Sequence, residues 1–204
     1  MKTAIIGAGN MGGSIARGLA KGTIIPANDI IVSNPTQHKL DVLKAEFPAL
    51  QTTRDNQEAV TGAELIILAV KPWLIKPVVS ELKLKSKQIL ISVAAGIPFE
   101  ELAHYVADKE MTMFRLIPNT AISEMESMTL IASRNASKEQ EQLLLDIFNQ
   151  MGLAMLIPED KIAAATAMTS YINRCFLLRN LSAFSVNQHI LIHLIDFNDI
   201  SKGN

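Results

Sequence analysis

The sequence predicts an α/β fold: a mostly parallel sheet with helices on both faces, followed by a short helical C-terminal segment. Three observations carry this. Short aliphatic runs of strand length alternate with segments of helical period. Apolar residues make up 49% of the chain but aromatic ones only 5%, so Ala, Ile, Leu and Val must fill the core, as in strands buried on both faces. Finally, a cluster of glycines stands where the first strand gives way to the first helix.

In chain order, residues 4–6, 30–32, 65–70, 89–93 and 111–116 read as strands. Residues 11–20, 37–46, 74–82 and 100–106 carry apolar side chains at steps of three and four and read as helices between them. Strand-helix alternation of this kind favours parallel pairing. A turn-rich piece, Ile117-Pro118-Asn119-Thr120, precedes a strand at 128–132. Ser137 and Gln140 form a capping box, and Leu143, Leu144, Ile147, Phe148 and Met151 line one helical face that Gly152 is expected to close. Residues 153–157 read as a last strand, and Pro158-Glu159-Asp160 opens an Ala-rich helix over 161–170. The expected division is a first domain at 1–157 and a helical segment at 158–204.

Several function classes are disfavoured. The formal net charge is -1 and no run of Lys or Arg forms a basic stripe, so nucleic acid is not an expected partner. The single cysteine, Cys175, fits a reducing cytosol. Lys2-Thr3-Ala4-Ile5-Ile6 runs straight into Gly7, so no secretory leader is expected. The apolar stretch 175–197 is broken by Arg179, Asn180, Asn187, Gln188, His189 and His193, which argues against a membrane span and for a cytoplasmic protein. His104, His189 and His193 lack the flanking ligand of a metal motif, and no metal is expected.

Gly7-Ala8-Gly9-Asn10-Met11-Gly12 matches G-x-G-x-x-G between a strand and a helix, the context that marks a Rossmann-type dinucleotide-binding domain. Gly7 permits the tight turn, Gly9 lets backbone N–H groups approach the pyrophosphate, and Gly12 lets helix and strand pack closely. The second strand ends in Ser33-Asn34-Pro35-Thr36, without the acid that holds the ribose hydroxyls in NAD-selective domains. Ser33, Asn34 and Thr36, with His38 and Lys39 nearby, instead accommodate a 2′-phosphate, so the expected cofactor is NADPH, with NADH the alternative. Ala69-Val70-Lys71-Pro72 and Ser92-Val93-Ala94-Ala95-Gly96 end later strands with side chains small enough to admit a flat ring. Lys71 reads either as a general acid or as a solvated amine.

The order of these motifs, completed by Arg115-Leu116-Ile117-Pro118-Asn119-Thr120, resembles the pyrroline-5-carboxylate reductase family over about residues 1–170. That family reduces the cyclic imine 1-pyrroline-5-carboxylate to proline with NAD(P)H, the last step of proline biosynthesis. The resemblance implies that Ser33, Asn34 and Asn56 touch the adenosine side. Ala69, Val70, Lys71 and Pro72, with Ala94, Ala95 and Gly96, would line the path from pyrophosphate to nicotinamide, and Asn119 and Thr120 would sit by the reacting ring.

In the family a helical domain that binds substrate and builds the dimer follows Ala165-Thr166-Ala167-Met168-Thr169-Ser170. This chain departs at Tyr171: Tyr171-Ile172-Asn173-Arg174-Cys175-Phe176 lacks the expected small residues, and the tail to Asn204 is too short for such a domain. The expectation is a truncated or divergent second domain with a homodimer through that segment, and no catalytic residue is assigned. A reductase of another small substrate, such as a β-hydroxyacid or a deazaflavin, and a non-catalytic dinucleotide-binding module are the alternatives.

Overall fold

The computed structural model describes residues 1–166. Its first half runs β1 (Thr3–Ile6), α1 (Asn10–Lys21), β2 (Ile30–Ser33), α2 (Gln37–Glu46), β3 (Gln51–Thr53), α3 (Asn56–Val60), β4 (Leu65–Leu68) and α4 (Pro72–Glu81). It continues with β5 (Ile89–Ser92), α5 (Phe99–Tyr105), β6 (Met113–Ile117), β7 (Ser127–Arg134), α6 (Lys138–Asn149) and β8 (Gly152–Leu156). The strands form one eight-stranded sheet in the order β3-β2-β1-β4-β5-β6-β7-β8. Strands β1 to β6 run parallel, β7 returns antiparallel to β6, and β8 follows β7 in parallel.

Every residue of β1, β4 and β5 is buried, which is what unbroken aliphatic runs require once both sheet faces are covered. One face carries Ile5, Val32, Ile67, Ile91 and Phe114 into a core shared with Ile15 and Leu19 of α1, Leu40 and Leu43 of α2, and Leu144 and Phe148 of α6. Ala4, Ile6, Ile66, Leu68 and Leu90 alternate with these and are buried too, as are Val60, Ile75, Val79, Phe99 and Leu102 of the remaining helices. The α/β sheet with flanking helices is the expected fold.

Sequence reading omitted β3 and α3. The first is an exposed or half-buried edge strand, Gln51-Thr52-Thr53, with no apolar residue to mark it. The second is one short turn of helix, but Asp55 caps it by accepting from the N–H groups of Gln57 (2.7 Å) and Glu58 (3.2 Å), and Asp-x-x-Glu was a readable start signal. The capping box of α6 is present: Ser137 Oγ accepts from Gln140 N (3.3 Å) and Gln140 Oε1 accepts from Ser137 N (2.8 Å).

Gly152 does not close that helix. It opens β8 opposite Ser127 at φ 131°, where a Cβ would lie 2.0 Å from the Ser127 carbonyl oxygen. The glycine is demanded by close strand approach and not by a helix end. Gly152→Ala is expected to destabilise the fold by about 3 kcal/mol or more through strained backbone and overpacking. Urea denaturation measures this, and a loss below about 1 kcal/mol would contradict the assigned register.

Met1–Leu156 form one compact unit, and a second begins at Ile157. Within the latter a 3₁₀ turn, Glu159–Lys161, leads into helix over 162–166. The rest of the helix expected to 170, the departure at Tyr171, the residues Cys175, His189 and His193, and the expected dimer segment lie outside the described residues. Among the described residues no helix is long and apolar enough to cross a membrane.

Candidate functional site

Parallel strands all deliver their carboxyl ends to one edge of a sheet, and in an open α/β sheet the ligand crevice lies where the strand order reverses. Here that point is between β1 and β4. The topology therefore brings the glycine loop and the motifs that end β2, β4, β5 and β6 to one edge. Gly7 follows β1, Asn34 follows β2, Ala69 follows β4, Ala94 and Gly96 follow β5, and Asn119 follows β6.

The three glycines of the first turn differ in kind. Gly7 has φ 107°, donates its N–H to Ser33 O (2.8 Å), and would set a Cβ 2.6 Å from Ala69 O. A Cβ on Gly12 would lie 1.9 Å from Gly7 O and 2.9 Å from the Ala69 Cβ. Both are fixed by protein packing. Gly9, by contrast, has an extended backbone open to any residue (φ -73°, ψ -170°), and a Cβ there meets nothing within 4 Å. Nothing among the described residues needs a glycine at this position, whereas a close-approaching ligand does.

Gly9 is also the N-cap of α1, and its carbonyl accepts the first intrahelical bond from Gly13 (2.8 Å). The N–H groups of Asn10, Met11 and Gly12 precede that bond and have no intrahelical acceptor. No acid stands in this first turn, so the positive end of the helix is uncompensated. Asn10 is exposed, while Met11 packs its side chain against the core and leaves its backbone for a ligand. At the far end of the same helices Arg17 grips Glu46 (2.5 and 2.8 Å), holding α1 to α2 and the Glu46 carboxyl below its ordinary pKa through that hydrogen bond.

Ser33 and Asn34 are built in more deeply than their polar character implied. Ser33 is fully buried and donates its hydroxyl to Asn56 Oδ1 (2.7 Å). Asn34 Oδ1 accepts from the N–H of Ala8 (3.0 Å), and its Nδ2 donates to Thr36 O (3.2 Å). These side chains hold the glycine loop and the mouth of β2 in shape, and half-buried Asn56 keeps its amide donors for a ligand.

Beyond β4, Ala69 donates its N–H to Ile6 O (2.8 Å), and the strand ends short of the expected residue 70. Ala69 and Val70 are half-buried, exposed Lys71 is the N-cap of α4, and Pro72 takes its first helical position, where a missing N–H is harmless. The only tryptophan of the chain, Trp73, follows and is 73% exposed; the sequence reading passed over it. Ala94 is buried with its N–H on Ser92 Oγ (3.3 Å), and Ala95 and Gly96 are exposed. Asn119 caps the 3₁₀ turn Thr120–Glu124 through Oδ1, which accepts from Ala121 N (2.9 Å), and Thr120 is exposed. The Asn119 Nδ2 is buried and has no hydrogen-bond partner among the described residues. A buried amide donor with no protein partner calls for an explanation such as a bound ligand.

The fold, the glycine loop and the crossover point define a Rossmann-type dinucleotide-binding domain. A family model described as "NADP oxidoreductase coenzyme F420-dependent" matches residues 2–96. Pyrroline-5-carboxylate reductase 2 of Dictyostelium discoideum is 34% identical over 183 residues, covering 82% of this chain and 61% of the relative. The pyrroline-5-carboxylate reductase structure from Coxiella burnetii superimposes with a TM-score of 0.78 at 28% identity, over 98% of this chain and 77% of that one. The Plasmodium falciparum pyrroline carboxylate reductase, solved with NADP bound, has a TM-score of 0.75 at 23% identity, over 100% of this chain and 80% of that one. The chain belongs to the pyrroline-5-carboxylate reductase family. It spans about three fifths of the length of most curated relatives it matches.

Proposed function

We propose that this chain is the NADPH-binding half of a pyrroline-5-carboxylate reductase, serving reduction of 1-pyrroline-5-carboxylate to proline. The carrying observation is Gly9, a glycine with no role in the packing around it, at the uncapped N-terminus of α1. The site fits the cofactor in a second place as well, since the orphaned Asn119 Nδ2 is a donor suited to a carbonyl oxygen such as that of a nicotinamide carboxamide.

In this reading the N–H groups of Asn10, Met11 and Gly12 receive the pyrophosphate, whose charge the α1 dipole favours. Ser33 and Asn34 act indirectly by fixing the loop, and Asn56 reaches the adenosine side. Ala69, Val70, Lys71 and Pro72 form one wall of the path, and Ala94, Ala95 and Gly96 admit the ring because they are small. Asn119 orients the ring, with Thr120 beside it. NADPH, when bound, would supply hydride from C4 of its nicotinamide to the carbon of the N-protonated imine, whose nitrogen keeps that proton as the amine of proline. The protein's share is orientation and exclusion of water, and Lys71 is a solvated amine at the wall.

The absence of an acid at the end of β2 supports NADPH over NADH, and the relative solved with NADP points the same way. NADPH is therefore expected to bind at least about tenfold more tightly than NADH, the worth of one charge-assisted contact. Trp73 stands at the edge of the site, so competition between the two cofactors can be followed by its emission. Equal or reversed affinities would contradict the reading of β2.

A further inference from the structure

We propose that Arg54 sets cofactor choice by pairing its guanidinium with the 2′-phosphate of NADPH, a role that rests on the cofactor reading above. The sheet register places it there. Ser33 pairs with Thr53, and Asn34 donates its N–H to Thr53 O (3.2 Å). Arg54 is thus the first residue to leave β3 at the same edge where Asn34 and Pro35 leave β2. Its Nε donates to Pro35 O (3.2 Å), which holds the guanidinium against the loop that receives the adenosine ribose in this class of domain.

Several other polar groups at this corner are engaged within the protein, although Asn56 keeps its amide donors. Ser33 and Asn34 spend their side chains inside the protein, as described. Asp55, the neighbour that would repel a phosphate, accepts from the N–H groups of Gln57 and Glu58 at the start of α3, and Glu58 accepts the Thr53 hydroxyl. Arg54 is exposed, and its Nη1 and Nη2 have no partner among the described residues. A guanidinium held by one nitrogen with its fork unspent is suited to bidentate capture of a phosphate. The adjoining N-terminus of α2 adds to this: Thr36 makes no side-chain cap and the first turn holds no acid, only Gln37 and the exposed His38 and Lys39. Lys39, the lysine nearest in sequence to β2, sits on a helix, whereas register delivers Arg54 to the ribose loop from a strand that sequence reading did not find.

The test is titration of the 204-residue chain and its Arg54→Gln and Arg54→Lys variants with NADPH and, separately, NADH. Arg54→Gln is expected to weaken NADPH by about tenfold or more while NADH changes by less than about twofold, which also shows that the variant is folded. Arg54→Lys, which keeps charge but not the fork, is expected to fall between. Unchanged NADPH affinity in Arg54→Gln would overturn the proposal, and so would an equal loss for both cofactors, which would mean that Arg54 only braces the Pro35 loop. Failure of the unmodified chain to bind either cofactor would instead overturn the cofactor reading and this proposal with it.

Discussion

Replacing Gly9 with valine is expected to leave the fold intact and weaken NADPH binding by about a hundredfold or more. The extended backbone at Gly9 suits a β-branched residue, and the space around its Cβ is open for 4 Å, so no native contact is disturbed. That open space is where the pyrophosphate must approach the N–H groups of Asn10, Met11 and Gly12. A forced displacement of about 3 kcal/mol, typical of overpacking, corresponds to roughly two powers of ten in affinity. Gly12→Val is the counterpart: its side chain meets Gly7 O at 1.9 Å, and loss of the folded state is expected before binding can be measured. A folded Gly9→Val chain with native affinity would remove the glycine loop from the site.

The second large effect is a separation of binding from turnover. The proposed cofactor groups lie between Gly7 and Thr120, all within the unit that ends at Leu156. By resemblance, the imine is positioned by a helical domain following residue 170, and the chain spans about three fifths of the relatives that carry the full reductase. If the imine is oriented by the part of the relatives that this sequence does not span, the loss of that orientation removes about 7 kcal/mol or more of catalysis. The 204-residue chain on its own is therefore expected to bind NADPH yet turn over 1-pyrroline-5-carboxylate far below about 1 s⁻¹. Steady-state oxidation of NADPH by protein of confirmed mass measures this. A rate typical of enzymes would place the substrate wall within these residues.

What could be read from the sequence follows from periodicity and from parallel pairing. The runs 4–6, 65–70 and 89–93 were visible because strands covered on both faces are aliphatic throughout, and once they are parallel their ends must share an edge. The placing of Gly7 and Asn119, more than a hundred residues apart, in one site came from the family resemblance, and the shared strand edge is consistent with it. Polar edge elements carry no such signal, and β3 with Arg54 was missed for that reason. Side-chain partnerships were equally invisible. Ser33 and Asn34 looked like groups available to a ligand, and only the structure shows them bonded to Asn56, Ala8 and Thr36. Gly152 misled because a glycine after a helix usually ends it, whereas here the tight pairing with Ser127 governs.

Calorimetric titration of the unmodified chain with NADPH tests the central claim, that the carboxyl edge between β1 and β4 is a dinucleotide site. One saturable site per chain is expected, with a dissociation constant in about the micromolar range, as for cofactors and substrates generally. An absence of saturable heat up to about 1 mM NADPH, in protein shown to be folded, would contradict it.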